Sequence, residues 1–163
     1  MSLTVRVKYM GMEKTFVGDV DSVWVNVNRF FSQMVPLIAI ARRAVLTVNL
    51  EEAIRAGEGL VAVAEEGPMV LVSKQRLTDN ESLLLKLLAA YIGGRLGVLD
   101  RIWLSREELK GWLGKSGKIT GTRLGELCHE GLVAKTEEGR YRLSTFGIKQ
   151  LIEEILPRIK RKT

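Results

Sequence analysis

The chain has 163 residues, 46% hydrophobic and 27% charged, with 25 Lys+Arg against 19 Asp+Glu and a formal net charge of +6. Such a length buries one ordinary core or two small ones, and the composition describes a soluble globular protein without long disordered segments. A single cysteine, Cys128, and a single histidine, His129, exclude an internal disulfide and a Cys/His zinc cluster, so neither metal nor cofactor is expected.

The start, MSLTVRVKYM, has no basic region followed by an apolar run, which argues against a secretory signal. The longest apolar stretch, from Val35 toward Leu46, is broken by Arg42 and Arg43 and is too short for a bilayer span. Together with the lone cysteine this points to the cytoplasm and away from a membrane. The charge is uneven: residues 1–76 carry 9 Lys+Arg against 8 Asp+Glu, whereas residues 77–163 carry 16 against 11. A polyanionic partner is therefore expected near the C-terminal half.

The first 76 residues read as a small α+β unit. Leu3, Val5, Val7 and Tyr9 alternate with Thr4, Arg6 and Lys8, the period of a strand with one buried face. The segment MGME turns the chain and KTFVG returns. Asp19 or Asp21 can cap a helix whose apolar positions include Val23, Trp24, Val27, Phe30, Phe31, Met34 and Ile38, which predicts a core stripe containing Trp24. Pro36 predicts a kink, with a second segment to about Val45. Asn49 caps a short helix stopped by Gly57, and the apolar runs around Glu65-Glu66-Gly67-Pro68 predict a second hairpin.

From residue 77 onward the pattern changes. Thr78 or Asp79 caps a helix with a stripe of Leu83, Leu84, Leu87, Leu88 and Tyr91, ended by Gly93, Gly94 and Gly97. Ser105 and Glu108 form a capping box for a short helix. Ser116 caps a third helix to about Glu130, stopped by Gly131, with Leu124, Leu127 and Cys128 on its inner side. LVAKT and RYRLS then make a hairpin around Glu137-Glu138-Gly139. A last amphipathic helix, capped by Ser144 and Thr145, runs to Leu156 with Phe146, Ile148, Leu151, Ile152 and Ile155 inward.

Helix, short helix, helix and hairpin, with the pattern T-x-T-R-L-x-E-L-x-x-E-G-L-V from Thr120 to Val133, resemble the winged helix-turn-helix superfamily over about residues 77–157. The likeness is to archaeal and bacterial transcription regulators; residues 1–76 resemble no family that can be named. The resemblance implies an α+β chain in which an N-terminal dimerisation or sensing unit precedes a winged-helix domain at 77–163. It further implies a homodimer that binds double-stranded DNA in a sequence-specific way. Carried over residue by residue, Lys118, Thr120, Thr122 and Arg123 approach base edges, Lys115 and Ser116 touch phosphate, and Arg140 and Arg142 hold the backbone from the wing.

Three features sit awkwardly with that expectation. Glu137 and Glu138 place acid at the wing tip, Glu126 and Glu130 place acid on the later turns of the recognition helix, and Gly121 and Gly125 each cost that helix roughly 1 kcal/mol relative to alanine. A protein-interaction module is therefore the competing reading. Gly114-Lys115-Ser116 looks like the end of a nucleotide-binding phosphate loop, but Leu109 occupies the slot of the earlier glycine and a helix signature precedes it. Cys128 and His129 are neighbours on a helix and cannot face each other as nucleophile and base. No other constellation suggests an enzyme.

Overall fold

The computed structural model describes residues 1–9, 11–34 and 46–163. The chain is an α+β protein that divides into two compact units, Met1–Leu46 and Thr47–Thr163. The expected kink at Pro36 and the segment to Val45 lie outside the described residues.

In the first unit, strands β1 (Leu3–Tyr9) and β2 (Met12–Gly18) pair antiparallel, with Leu3 opposite Gly18 and Tyr9 opposite Met12. Helix α1 (Val20–Met34) starts at Asp19, whose carboxylate accepts from the Ser22 amide at 2.9 Å and the Ser22 hydroxyl at 2.7 Å. Val23 and Phe30 are buried, and Phe16 meets Phe30 edge-on at 5.7 Å. The expected core stripe is corrected at Trp24, which is 69% exposed. One residue on from Val23, it is rotated about 100° away from the side that meets the hairpin.

The second unit begins earlier than the expected boundary after residue 76. Helix α2 (Leu50–Gly57) is capped by Asn49, whose side chain accepts from the Glu51 amide. The helix ends at Gly57 as expected, and this glycine also serves packing: a Cβ there would stand 3.0 Å from Val61 and 3.6 Å from Leu88. Strands β3 (Val61–Ala64) and β4 (Gly67–Val70) pair around a two-residue turn, Glu65-Glu66.

Both α2 and this hairpin pack on α3 (Asp79–Leu96), which is why they belong with the residues that follow and not with those before. Thr78 and Glu81 exchange the two hydrogen bonds of a capping box, at 3.1 and 2.9 Å. Where a single apolar stripe was expected, Leu83, Leu84, Leu85, Leu87, Leu88, Ala89, Ala90 and Ile92 are all buried. A helix buried on nearly every side is the centre of a core, not its cover. Gly93 and Gly94 lie inside α3, where a Cβ would collide with Leu99 and Val63 or with Ile102 and the Arg101 carbonyl, and only Gly97 ends it.

Two residues, Leu104–Ser105, form β5, and α4 (Arg106–Leu113) and α5 (Gly117–His129) follow. Strands β6 (Val133–Lys135) and β7 (Arg140–Leu143) complete a three-stranded antiparallel sheet in the order β5-β7-β6. Leu104, Val133, Tyr141 and Leu143 are buried, so one face of the sheet joins the core. Gly131 stops α5 with φ of 77°, and the Leu132 amide donates back to Leu127 at 3.0 Å, the hydrogen bond of a left-handed helix end.

The final helical segment comprises α6 (Thr145–Gln150), one wider turn at Leu151–Ile155, and α7 (Leu156–Lys162). It therefore continues past Leu156 and through Pro157. In the wider turn the Leu156 amide donates to the Leu151 carbonyl, five residues back, and such turns relieve the clash and the missing amide that proline introduces. Phe146, expected inward, is 45% exposed.

Candidate nucleic-acid interface

The candidate interface is built on α4, α5 and the turn between them. Ser105 and Glu108 cap α4 reciprocally, and Gly114 ends it in a left-handed conformation at φ of 70°. Ser116 opens α5, its hydroxyl accepting from the Ile119 amide at 3.2 Å. Gly114-Lys115-Ser116 thus joins two helices, not a strand and a helix, and has no phosphate-loop geometry.

Leu124 and Leu127 fix the rotation of α5 by entering the core. Cys128 lies half-buried beside them, where burial pushes its thiol up against a smaller opposing effect of Lys135. Lys118, Ile119, Thr122, Gly125 and His129 face solvent. Thr120, expected at base edges, cannot reach them: it is fully buried, and its hydroxyl donates to the Ser116 carbonyl at 3.0 Å. Two steps from Lys118, it lies on the side of α5 that Leu124 and Leu127 share.

The basic residues fall into two groups. Lys115 is held by Asp79, its Nζ 2.6 and 2.8 Å from the two carboxylate oxygens. Arg123 reaches the same carboxylate at 3.6 Å and Glu126 at 3.1 Å, while Asn80 donates to Glu126 at 3.3 Å. Hydrogen bonds from Arg123 and then Asn80 hold the Glu126 carboxyl below its ordinary range, and Glu126 and Asp79 push the Arg123 guanidinium up. Arg140 lies 3.8 Å from the centre of the Trp103 ring and 2.9 Å from Glu138. By contrast, Lys118 and Arg142 are exposed and form no ion pair among the described residues.

Arg106 was not visible as a candidate in the sequence. Its Nη2 donates to the Gly117 carbonyl at 2.8 Å, and a Cβ on Gly121 would stand 2.6 Å from that nitrogen. Gly121 therefore makes room for an arginine lying along the first turns of α5. Gly125 has nothing within 4 Å of an added Cβ, so no packing demand accounts for it. Ile119, 42% exposed, also escaped the sequence reading, although its place beside Lys118 and Thr122 on a helical wheel was a usable signal.

Among the described residues, no three His, Cys, Asp or Glu side chains gather as a metal site, and no helix is long and apolar enough to cross a membrane. Comparison with protein-family models, curated proteins and solved structures finds no match to this chain.

Proposed function

We propose that the protein is a cytoplasmic, sequence-specific double-stranded DNA-binding protein of the winged-helix kind, a transcriptional regulator that binds rather than catalyses. The observation that carries this reading is the outward side of α5: Lys118, Ile119, Thr122 and Gly125 are exposed, and no acid occurs between Arg106-Glu107-Glu108 and Glu126. An exposed side of this composition supplies a cation for guanine or phosphate, a hydroxyl for base edges, a methyl surface for thymine and a glycine that admits close approach. Ser116 at the helix start, Arg106 along its first turns and Arg142 on β7 add phosphate-binding groups. Lys115, Arg123 and Arg140 reach DNA in this account by exchanging Asp79, Glu126 or Glu138 for phosphate.

A homodimer suits two half-sites, and the exposed Val17, Val20, Trp24 and Val25 of the first unit supply apolar surface for it. One set of contacts favours a second reading, a protein-interaction module: Lys115, Arg123 and Arg140 already have acidic partners, and Glu137 stands exposed next to Glu138.

Fluorescence anisotropy with duplex DNA at several salt concentrations separates the two readings. Lys118→Ala combined with Arg142→Ala is expected to weaken binding and to lower the salt slope by about 0.9 per phosphate contact removed. Duplex affinity and slope unchanged in the double variant would remove these residues from the interface, and no duplex affinity of the native chain at low salt would favour the interaction module.

A further inference from the structure

The outward side of α5 leaves unused a cleft of ≈ 640 Å³ in the second unit. Its walls come from the β3–β4 turn, from Lys86 and Ala90 of α3, from the segment leading into β5, and from Glu108 and Trp112 of α4. The size is that of an ordinary small-molecule site, and Met69, Leu99, Trp103 and Trp112 give it apolar walls.

The lining carries Glu66, Asp100 and Glu108 against Lys86 and Arg101, yet none of these acids pairs with Lys86. The Lys86 ammonium is half-buried, donates to the Pro68 carbonyl at 2.5 Å and stands 4.6 Å from the centre of the Trp112 ring. Lys74 stands 4.2 Å from the same ring and donates to the Trp112 carbonyl. Neither lysine forms an ion pair among the described residues. Burial, and then repulsion by Lys74, hold the Lys86 ammonium below its ordinary range, with Glu108 opposing in part. An anion beside Lys86 would offset both effects by favouring the charged ammonium.

The other charged groups of the cleft do not supply that anion. Glu108 accepts from the Ser105 amide at 2.7 Å and from Arg101 at 2.9 Å, so acid and arginine satisfy each other. Glu66 and Asp100 are exposed to solvent. These two acids repel any negative charge that enters, so a single carboxylate placed at Lys86 is favoured over a dianion.

We propose that this cleft binds a small monocarboxylate with an apolar, planar body. The carboxylate pairs with Lys86, and the body lies against Trp103, Trp112, Met69 and Leu99. Two sources share this chemistry, a free aryl-alkanoic acid and an aromatic amino acid. They differ by an α-ammonium group, for which Glu66 and Asp100 are the complementary partners.

The test titrates the full chain with 3-phenylpropanoate, phenylalanine and the neutral 3-phenylpropanamide, following the indole N–H resonances of Trp103 and Trp112 with Trp24 as reference. Saturable shifts at Trp103 and Trp112 are expected with at least one of the two carboxylates. Binding of the amide is expected to be weaker by about tenfold, the loss of one charge-assisted hydrogen bond. Lys86→Met should reduce the acids to the level of the amide, and Lys86→Arg should restore them. The stronger of the two carboxylates identifies the source. The proposal is overturned by an absence of saturable shifts with both, by equal binding of amide and acids, or by unchanged binding in Lys86→Met. Should Lys86→Met fail to fold, the amide comparison on the native chain decides alone. Duplex binding enters none of these readings, so the cleft and the DNA interface stand or fail separately.

Discussion

The two compact units treat their apolar residues in opposite ways. Among the described residues of Met1–Leu46, only Val23 and Phe30 are buried hydrophobics, while Val17, Val20, Trp24 and Val25 are exposed. In Thr47–Thr163, one helix alone brings five buried leucines into a core that also takes in α2, α4, α5, the sheet and the last helical segment. The contrast shows which unit carries the core. The second unit carries a core sufficient to hold α5 rigidly, and the first offers apolar surface that a partner could cover.

The largest test of that contrast is Leu88→Ala. Leu88 is fully buried on α3, and its truncation should destabilise the second unit by about 2–5 kcal/mol in urea or thermal unfolding. A loss below about 1 kcal/mol would mean that α3 is not the centre of the core.

A smaller effect is expected from Glu81→Gln. Glu81 is nearly buried, accepts from the Thr78 amide and pairs with Lys162 at 2.7 Å and Arg158 at 3.5 Å, so the basic C-terminal tail is bound to the start of α3. Burial raises its carboxyl, but the hydrogen bonds from Lys162 and Thr78 and the nearby charges outweigh it, leaving the folded value below the ordinary 4.5. A carboxyl lowered on folding stabilises above its unfolded value and loses that contribution as the pH falls through the folded one. The variant should cost about 1–2 kcal/mol at neutral pH. It should also lose less stability than the native chain on acidification below pH 4.5, and an unchanged acid limb would show that the tail contact is not held in solution.

The smallest expected effect on stability is that of Trp24→Ser, within about 0.5 kcal/mol, because the side chain it removes is exposed. Its effect on assembly is the informative part. Sedimentation should show a weaker dimer, and a native chain that is monomeric at all accessible concentrations would remove the first unit as the dimer contact.

Much of the second unit was legible in the sequence because its signals are local. Thr78 with Glu81, Ser105 with Glu108, Ser116, Asn49 and Gly131 act over two to five residues, and each stands where its capping capacity predicts. Long-range pairings were not legible. Nothing near Lys115 or Arg123 in sequence announces Asp79, and nothing in the tail announces Glu81. Helical periodicity also misplaces residues at the edge of a stripe: Trp24 and Phe146 are expected inward and are exposed, while Thr120, a base-edge candidate only through the family resemblance, is buried. A period fixes which residues share a side, but only the neighbouring element decides how wide the buried side is. The unit boundary was misread for the same reason. The β3–β4 hairpin and α2 are complete local patterns, and their attachment to α3 depends on contacts such as Gly57 with Leu88 that no local pattern encodes.

Selection of duplexes from a random-sequence pool by the full chain tests the central claim most directly. The account predicts enrichment of one motif, with enrichment lost in Lys118→Ala and weakened as salt rises. A pool whose sequence composition is unchanged after repeated rounds at low salt would contradict sequence-specific DNA binding by this protein.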